Sequence, residues 1–404
     1  MLTHLSSMPL PAGGGEARKL DAQQLDLHIA FFTGYIPPYA LPVYEEINRR
    51  LRRLTLLLSC SMEQNRNWTP EFGDLEVQIQ RNFSYHRRWR HPSGFTDSIQ
   101  QHLPWDTIFQ VRRLKPDIIV SEELGLRSIL CAFASRIYGK PLVLVCNLSE
   151  HTEQARGLSR VLVRKWLLRQ CAAVTVNGAS GERYLRSMKA PRIYRFPYVA
   201  VPDYFVADVR RRILPAKRLV LSSSLSERKG VMPFLQALAN WCRKNTDSHV
   251  ELEICGDGPL RVAVESFERP ENLKLQLHGN CSFLRLSEIY RQSQILVLPT
   301  LADEWGLVVN EGLASGLPIL GSVYSQAVDE LIRDGLNGWR FQPDNPIEME
   351  QAIERALITG PEELAEMSRR AKESICQRTP QWSADQFLVA VRDVACHKHE
   401  TCLP

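Results

Sequence analysis

Short apolar runs alternate with amphipathic segments through the carboxy-terminal half of this 404-residue chain, and that alternation constrains the fold more than any other feature. LVLSSSL (219–225) precedes a helical pattern from Val231, and LEIC (252–255) precedes one from Pro259. KLQLHG (274–279) leads into LRLSEIYRQS, and ILVLP (295–299) into DEWGLVVNEGLA. PILGS (318–322) leads into SQAVDELIRDG, and NGWRF (337–341) into IEMEQAIERAL. A short strand that is apolar on both faces needs cover on both faces, and intervening helices supply it. The expectation is an α/β fold with a parallel, doubly wound sheet.

The amino-terminal half repeats the theme less regularly. LHIAFF (27–32), LTLLLS (54–59), LEVQIQ (75–80), DIIVS (117–121), PLVLVC (141–146) and AVTVN (173–177) are strand candidates, with helices such as VYEEINRRLRR and SILCAFASRIYG between them. The segment from Phe196 to Lys217 holds three prolines and no periodicity, which marks a linker. The expected division is a leader (1–24), a first Rossmann-like domain (25–200), a linker (201–217), a second such domain (218–379), and a tail (380–404) that is helical and crosses back onto the first domain. The length suits two cores.

Composition narrows the class. No apolar run is long enough to span a bilayer, and the first residues lack the apolar core of a signal peptide. Ten cysteines are scattered without regular spacing, and some, such as Cys146 and Cys255, sit inside strand-like runs. That pattern fits reduced, buried thiols and a cytoplasmic protein. Residues 1–200 hold 27 Lys and Arg against 17 Asp and Glu, whereas the rest holds 23 against 28. A basic first half suits an anionic partner or an anionic membrane surface, although basic residues that merely solvate helix faces would give the same count.

In doubly wound sheets ligands sit where strand carboxyl ends feed helix amino termini, whose free N–H groups favour phosphate. Four loops of the second half fall there. Ser-Glu-Arg228-Lys229-Gly230 offers an ammonium, a guanidinium and a backbone that a diphosphate can approach closely. Gly256-Asp-Gly258-Pro259 permits a tight turn. Gly279-Asn280 can edge against a base. Each of these three also fits an ordinary helix entry. In the fourth, Asp303 and Glu311 stand eight apart, and Trp305, Gly306 and Leu307 between them open a short helix. Asp303 can accept from sugar hydroxyls or serve as a cap. A carboxylate such as Glu311 within an apolar helix needs a partner, and a ribose diol would be one.

In this order and spacing, SLSERKGV, ICGDGPL, HGN, YRQSQILVLPT, DEWGLVVNEGLASGLPI and DELIRDGLNGWRF resemble the donor domain of the retaining family-4 glycosyltransferases, over about 220–345. The first half resembles that family more loosely, through IPPYALPVYEEI. The resemblance implies a GT-B fold, two Rossmann-like domains facing a cleft. The family signature is a Glu, seven residues and a second Glu. The first holds the donor sugar and the second the ribose, while a Lys, often with an upstream Arg, holds the diphosphate. By position Asp303 takes the first role, Glu311 the second and Lys229 the third. Ser224 stands where the upstream Arg is expected, so Arg228 would supply that charge. Glu304 is the better residue type one position out of frame, and it competes with Asp303 for the sugar.

On the acceptor side the candidates are Gly34, Glu150 and His151, the last two in NLSEHTEQARG (147–157). Family members often place a His or an acid in this loop near the transferred sugar, so His151 joins Asp303, Glu311 and Lys229 as a catalytic candidate. RNFSYHRRWRHP (81–92) mixes basic and aromatic residues and suits an acceptor or headgroup better than nucleic acid, for which no accompanying motif is present. LSRVLVRKWLLRQ (158–170) reads as an apolar face opposed by Arg160, Arg164, Lys165 and Arg169, either docked on a membrane or packed on the surface. CHKHETC (396–402) lacks a zinc-finger spacing. The expected activity is hexosyl transfer with retention, from a nucleoside-diphosphate sugar to a glycan or lipid-linked acceptor, in polysaccharide, glycolipid or envelope glycan synthesis. No metal or other cofactor is expected, because basic residues hold the diphosphate. The expected place is the cytoplasm, at the inner face of the membrane. The alternative is an inactive scaffold that binds a sugar nucleotide.

Overall fold

The computed structural model describes residues 24–62, 70–200, 205 and 217–400. Most of the leader and of the linker expected from sequence, and the end of the tail, lie outside the described residues.

The first domain runs β1 (Leu25–Thr33), α1 (Leu41–Arg49), β2 (Leu51–Leu58), β3 (Glu76–Ile79), β4 (Asn82–Arg90), β5 (Thr96–Pro104), α2 (Thr107–Leu114), β6 (Ile118–Glu122), α3 (Leu126–Tyr138), β7 (Leu142–Cys146), α4 (Leu158–Gln170), β8 (Ala173–Val176), α5 (Ala179–Ser187) and β9 (Ile193–Arg195). The second runs β10 (Lys217–Ser222), α6 (Val231–Lys244), β11 (Val250–Cys255), α7 (Arg261–Glu265), β12 (Leu273–Gly279), α8 (Phe283–Gln292), β13 (Ile295–Leu298), α9 (Val308–Ala314), β14 (Ile319–Ser322), α10 (Gln326–Leu331), β15 (Gly338–Phe341), α11 (Pro346–Ile358) and α12 (Pro361–Ile375). A last helix, α13 (Pro380–Glu400), follows.

Two parallel sheets result, ordered β3-β2-β1-β6-β7-β8-β9 and β12-β11-β10-β13-β14-β15. Strand parity explains why their sequences are apolar throughout. In β1, Ile29 and Phe31 enter one core layer while Ala30 and Phe32 enter the layer on the other face. In β13, Ile295 and Val297 face one layer and Leu296 and Leu298 the other. The order reverses between β1 and β6 and again between β10 and β13, so each domain opens a ligand crevice at those strand ends. Local signals set the helix starts. The Ser282 side chain accepts from Arg285 N–H at α8, Asn345 accepts from Glu348 N–H at α11, and proline opens α11 and α12.

The helix α13 returns to the first domain. Ala384, Phe387, Leu388, Val391 and Val394 fall at helical spacing and join the core beside Ile29 and Phe31. Polar ties fix its register: Ser383 Oγ to Pro197 O at 2.7 Å, Arg50 to Asp385 at 2.8 Å and Tyr194 to Asp393 at 2.5 Å.

The strands β4, β5 and β9 escaped the sequence reading. The basic and aromatic segment RNFSYHRRWRHP contains the whole of β4, paired antiparallel with β5 from Asn82↔Pro104 to Arg90↔Thr96. This hairpin stands apart from both parallel sheets. With Phe83 and Tyr85 on its exposed surface, it never buries one clean face, so the period-two signal is weak.

Candidate functional site

The loop after β10 is pinned to the loop after β13. A single 3-10 turn, Glu227–Lys229, ends at Gly230, whose φ is +64°. A Cβ there would lie 2.1 Å from the Pro299 carbonyl oxygen, so only glycine allows the approach. Leu301 N–H and the Thr300 hydroxyl both donate to Arg228 O, at 2.8 and 3.2 Å. This clamp brings Lys229 Nζ to 2.5 Å from Asp303 Oδ2, with both side chains nearly buried. Burial pushes the Asp303 carboxyl up, but Lys229 and Arg228 outweigh it and hold the group below its ordinary range. Burial lowers the Lys229 ammonium, which Asp303 only partly offsets. Arg228 donates to Ala302 O at 3.1 Å and lies 3.9 Å from Glu304 Oε2.

Beyond Asp303 the chain turns at Gly306, where φ is +94° and a Cβ would come within 2.5 Å of Ser325 Oγ. Leu307 caps α9, which carries Glu311 inward to a buried position. Tyr290 Oη donates to Glu311 Oε2 at 3.4 Å, a long bond, so burial dominates and pushes the carboxyl up to about 7. Trp305 is buried with its indole N–H on Asn310 Oδ1 at 2.7 Å, which makes it a packing residue in this conformation. Gly256 and Gly258 let backbones touch: Cβ atoms there would fall 1.9 Å from Ser223 O and 2.5 Å from Leu225 O. Gly256 N–H also donates to Gly279 O at 2.7 Å, which draws the next loop in and leaves Asn280 exposed. Ser224 is exposed, 3.4 Å from Ser226 Oγ.

A cleft of about 790 Å3 separates the domains and reaches Arg228, Ala302 and Glu304 on the second. Asn147, Leu148, Thr152, Glu153 and Arg156 of the loop after β7 line its other wall. Glu150 and His151 of the same loop instead line a different groove of about 920 Å3. Glu150 pairs with Arg183 at 2.7 Å. The His151 ring stacks on Tyr324, centroids 3.9 Å apart, and its Nε2 lies 2.7 Å from Leu301 O. That carbonyl requires an N–H donor at Nε2, so the ring serves as a tie between domains, and burial lowers its imidazole below the ordinary range. Gly34 lines a third cavity of about 330 Å3, shared with Glu122, Asn147, Tyr198 and Glu304.

Several residues of this region were not singled out from sequence. Glu122, at the carboxyl end of β6, accepts from the Thr33 hydroxyl and from Asn147 Nδ2 (2.7 Å), and burial raises its carboxyl. Its place at a strand end was the available signal. Gln326 had none. It donates to Leu148 O at 3.2 Å and Glu304 O at 2.8 Å, and accepts from Gly181 N–H at 2.8 Å. Asn177 Nδ2 adds a bond to Glu304 O at 2.9 Å. These ties hold the Asp303–Glu304 backbone against the first domain.

Comparison with known proteins places this geometry. Residues 216–359 match the family model described as glycosyl transferases group 1. The putative glycosyltransferase EpsF of Bacillus subtilis is 26% identical over 66% of this chain and 74% of its own length. An N-acetyl-D-galactosaminyltransferase of Campylobacter jejuni, named for a glycan on PP-undecaprenol, is 24% identical over 61% of this chain and 67% of its own. An uncharacterized glycosyltransferase of Methanocaldococcus jannaschii is 27% identical, and the match spans only 41% of that protein. Among solved structures, the sucrose-phosphate synthase of Thermosynechococcus elongatus superposes with a TM-score of 0.66 at 16% identity, over 92% of this chain and 100% of that one. Anabaena HepE in complex with UDP and glucose gives 0.64 at 15% identity, over 91% and 99%. Residues 216–359 thus match the group 1 glycosyltransferases, and the whole chain has the two-domain GT-B fold of these solved structures.

Proposed function

We propose that the chain is a retaining, metal-independent glycosyltransferase of the family-4 kind, moving a hexosyl group from a nucleoside-diphosphate sugar to a glycan or lipid-linked acceptor. The observation that carries this reading is the Lys229–Asp303 pair, with Arg228 beside it and Glu311 buried one short helix away. A diphosphate reaching Lys229 competes with Asp303 for the ammonium. Once displaced, that carboxylate is free to accept from donor sugar hydroxyls. Lys229 and Arg228 then stabilise the charge that grows on the diphosphate as the anomeric bond breaks. The departing phosphate oxygen takes the acceptor's proton on the same face, which retains configuration without a protein nucleophile. Two cations supply the neutralisation for which a metal would otherwise serve.

The setting would be polysaccharide, glycolipid or envelope glycan synthesis at the cytoplasmic face of a membrane. Among the described residues no helix is long and apolar enough to cross one. Peripheral contact through the basic first domain is supported by Leu158 and Leu162 of α4, and Phe133 and Ile137 of α3, all exposed.

A thermal-shift panel of UDP-, GDP- and ADP-sugars tests the donor. One nucleotide should raise the melting temperature by a few degrees at saturation. Glu311→Ala should then abolish transfer, and Asp303→Ala should impair it more than Glu304→Ala. Wild-type turnover in Glu311→Ala would sink the assignment.

A further inference from the structure

The first-domain wall of the cleft is cationic in an unusual way. Arg156, Arg160 and Arg164, four residues apart, all line it, and Arg160 and Arg164 lie on α4. Arg156 Nε donates to Thr152 O at 2.9 Å, and Glu153 serves the two helix arginines, with Arg164 taking it: that pair is in direct contact and both side chains are about 95% buried. Arg160 is left 3.9 Å from the other Glu153 oxygen, with two-thirds of its side chain covered. Among the described residues no acceptor lies within hydrogen-bond reach of the buried Arg160 Nε. Burial, and then the neighbouring Arg164 charge, push its guanidinium down to about 10, the response of a cation that is under-compensated where it stands. Arg156 closes the cluster from above, its guanidinium 3.5 Å from the centre of the Trp89 ring on the hairpin.

An exposed arginine needs no partner, but a half-desolvated one forgoes hydration that only an anion restores well. The neighbouring wall fits a saccharide. Tyr85, His86, Trp89, Gln100 and Gln101 line the same cleft, offering ring faces for sugar C–H groups and amides for hydroxyls. The cleft continues to Arg228 and Glu304, so a molecule seated on the arginines extends toward the donor loops.

We infer that Arg160 and Arg156, backed by the Arg164–Glu153 pair, form an oxyanion subsite for a phosphate or carboxylate carried by the acceptor. This rests on the glycosyltransferase reading and names its acceptor class: an anionic saccharide. Two sources share that chemistry, a lipid-diphosphate-linked saccharide and a soluble glycan bearing uronic acid.

The test titrates the full chain with inorganic pyrophosphate in the presence of saturating UDP, which occupies the diphosphate loops. Wild type should still bind pyrophosphate, and Arg160→Gln should weaken that binding about ten-fold or more, as loss of charge-assisted hydrogen bonds implies. Arg156→Gln should weaken it as well. UDP affinity should stay unchanged in both variants, which also reports that they are folded. Absence of pyrophosphate binding in wild type, or equal binding in Arg160→Gln, would overturn the subsite. Failure of wild type to bind any nucleoside diphosphate would instead sink the glycosyltransferase reading. Competition against pyrophosphate then identifies the source: displacement by an undecaprenyl-diphosphate-linked sugar or by a uronate oligosaccharide supports the subsite, and displacement by neither overturns it.

Discussion

At the residue scale, the donor loops contain two buried carboxylates in opposite states. Asp303 is held ionised by Lys229, whereas Glu311 meets a tyrosine hydroxyl at a long distance and rises to about 7. Because its folded pKa lies above the ordinary 4.5, Glu311 favours the folded chain most below that value. The contribution is lost as pH climbs from about 4.5 through 7. The stability difference between Glu311→Gln and wild type should therefore grow across that window, toward roughly 3 kcal/mol. Urea unfolding at pH 5 and pH 8 reads it, and a flat difference would contradict the buried, poorly paired carboxylate. Sugar-nucleotide affinity should rise over the same range if ionised Glu311 accepts from the ribose. The Lys229–Asp303 pair predicts a coupling. Lys229→Met alone strands a buried carboxylate and should cost about 3–5 kcal/mol, whereas Lys229→Met with Asp303→Asn should recover at least half. Equal losses in the single and double variants would show that the two groups do not interact.

At the element scale, α4 inverts its expected faces at Arg164, Leu158 and Leu162, while Lys165 and Arg169 stay exposed. Arg164 is buried on Glu153 and Tyr184, Leu167 and Leu168 pack inward, and Leu158 and Leu162 face solvent. The sequence pattern set a leucine and valine face opposite Arg160, Arg164, Lys165 and Arg169, whether docked on a membrane or packed on the surface. It missed the inversion because Glu153, which draws Arg164 inward, lies outside the helix. Arg164→Met should accordingly destabilise by about 3–5 kcal/mol, while Leu162→Gln should stay within about 0.5 kcal/mol. Denaturant midpoints that rank the two the other way would refute the inversion. The hairpin was missed for a related reason: an arm with little buried face carries little hydrophobic periodicity. The parallel strands were legible to within two or three residues at either end, except the half-buried edge strand β9, which was missed.

At the scale of the whole molecule, the two domains share a seam of side chains reaching backbone atoms. Gln326 alone spans Gly181, Leu148 and Glu304. Gln326→Ala should leave global unfolding nearly unchanged but speed amide exchange at Gly181 and in the 303–305 turn. The loss of hydrogen bonds worth about 1 kcal/mol each sets the scale, roughly five-fold or more. Exchange monitored by mass spectrometry checks this, and unchanged protection would mean that the seam is held elsewhere. The helix α13 adds a second link, since a segment following the second domain completes the first domain's core.

The sequence alone determined the doubly wound architecture, the two-domain division and the positions of Lys229, Asp303 and Glu311, because strand parity, helix spacing and loop chemistry are local properties. Only the tertiary structure decided which charges meet. Asp303 faces Lys229 while Glu304 opens to the cleft, His151 ties backbone rather than lining the cleft, and Arg160 and Arg164 share one carboxylate. Ion pairing and desolvation depend on distances of a few ångströms between segments far apart in the chain, and no local pattern carries that information.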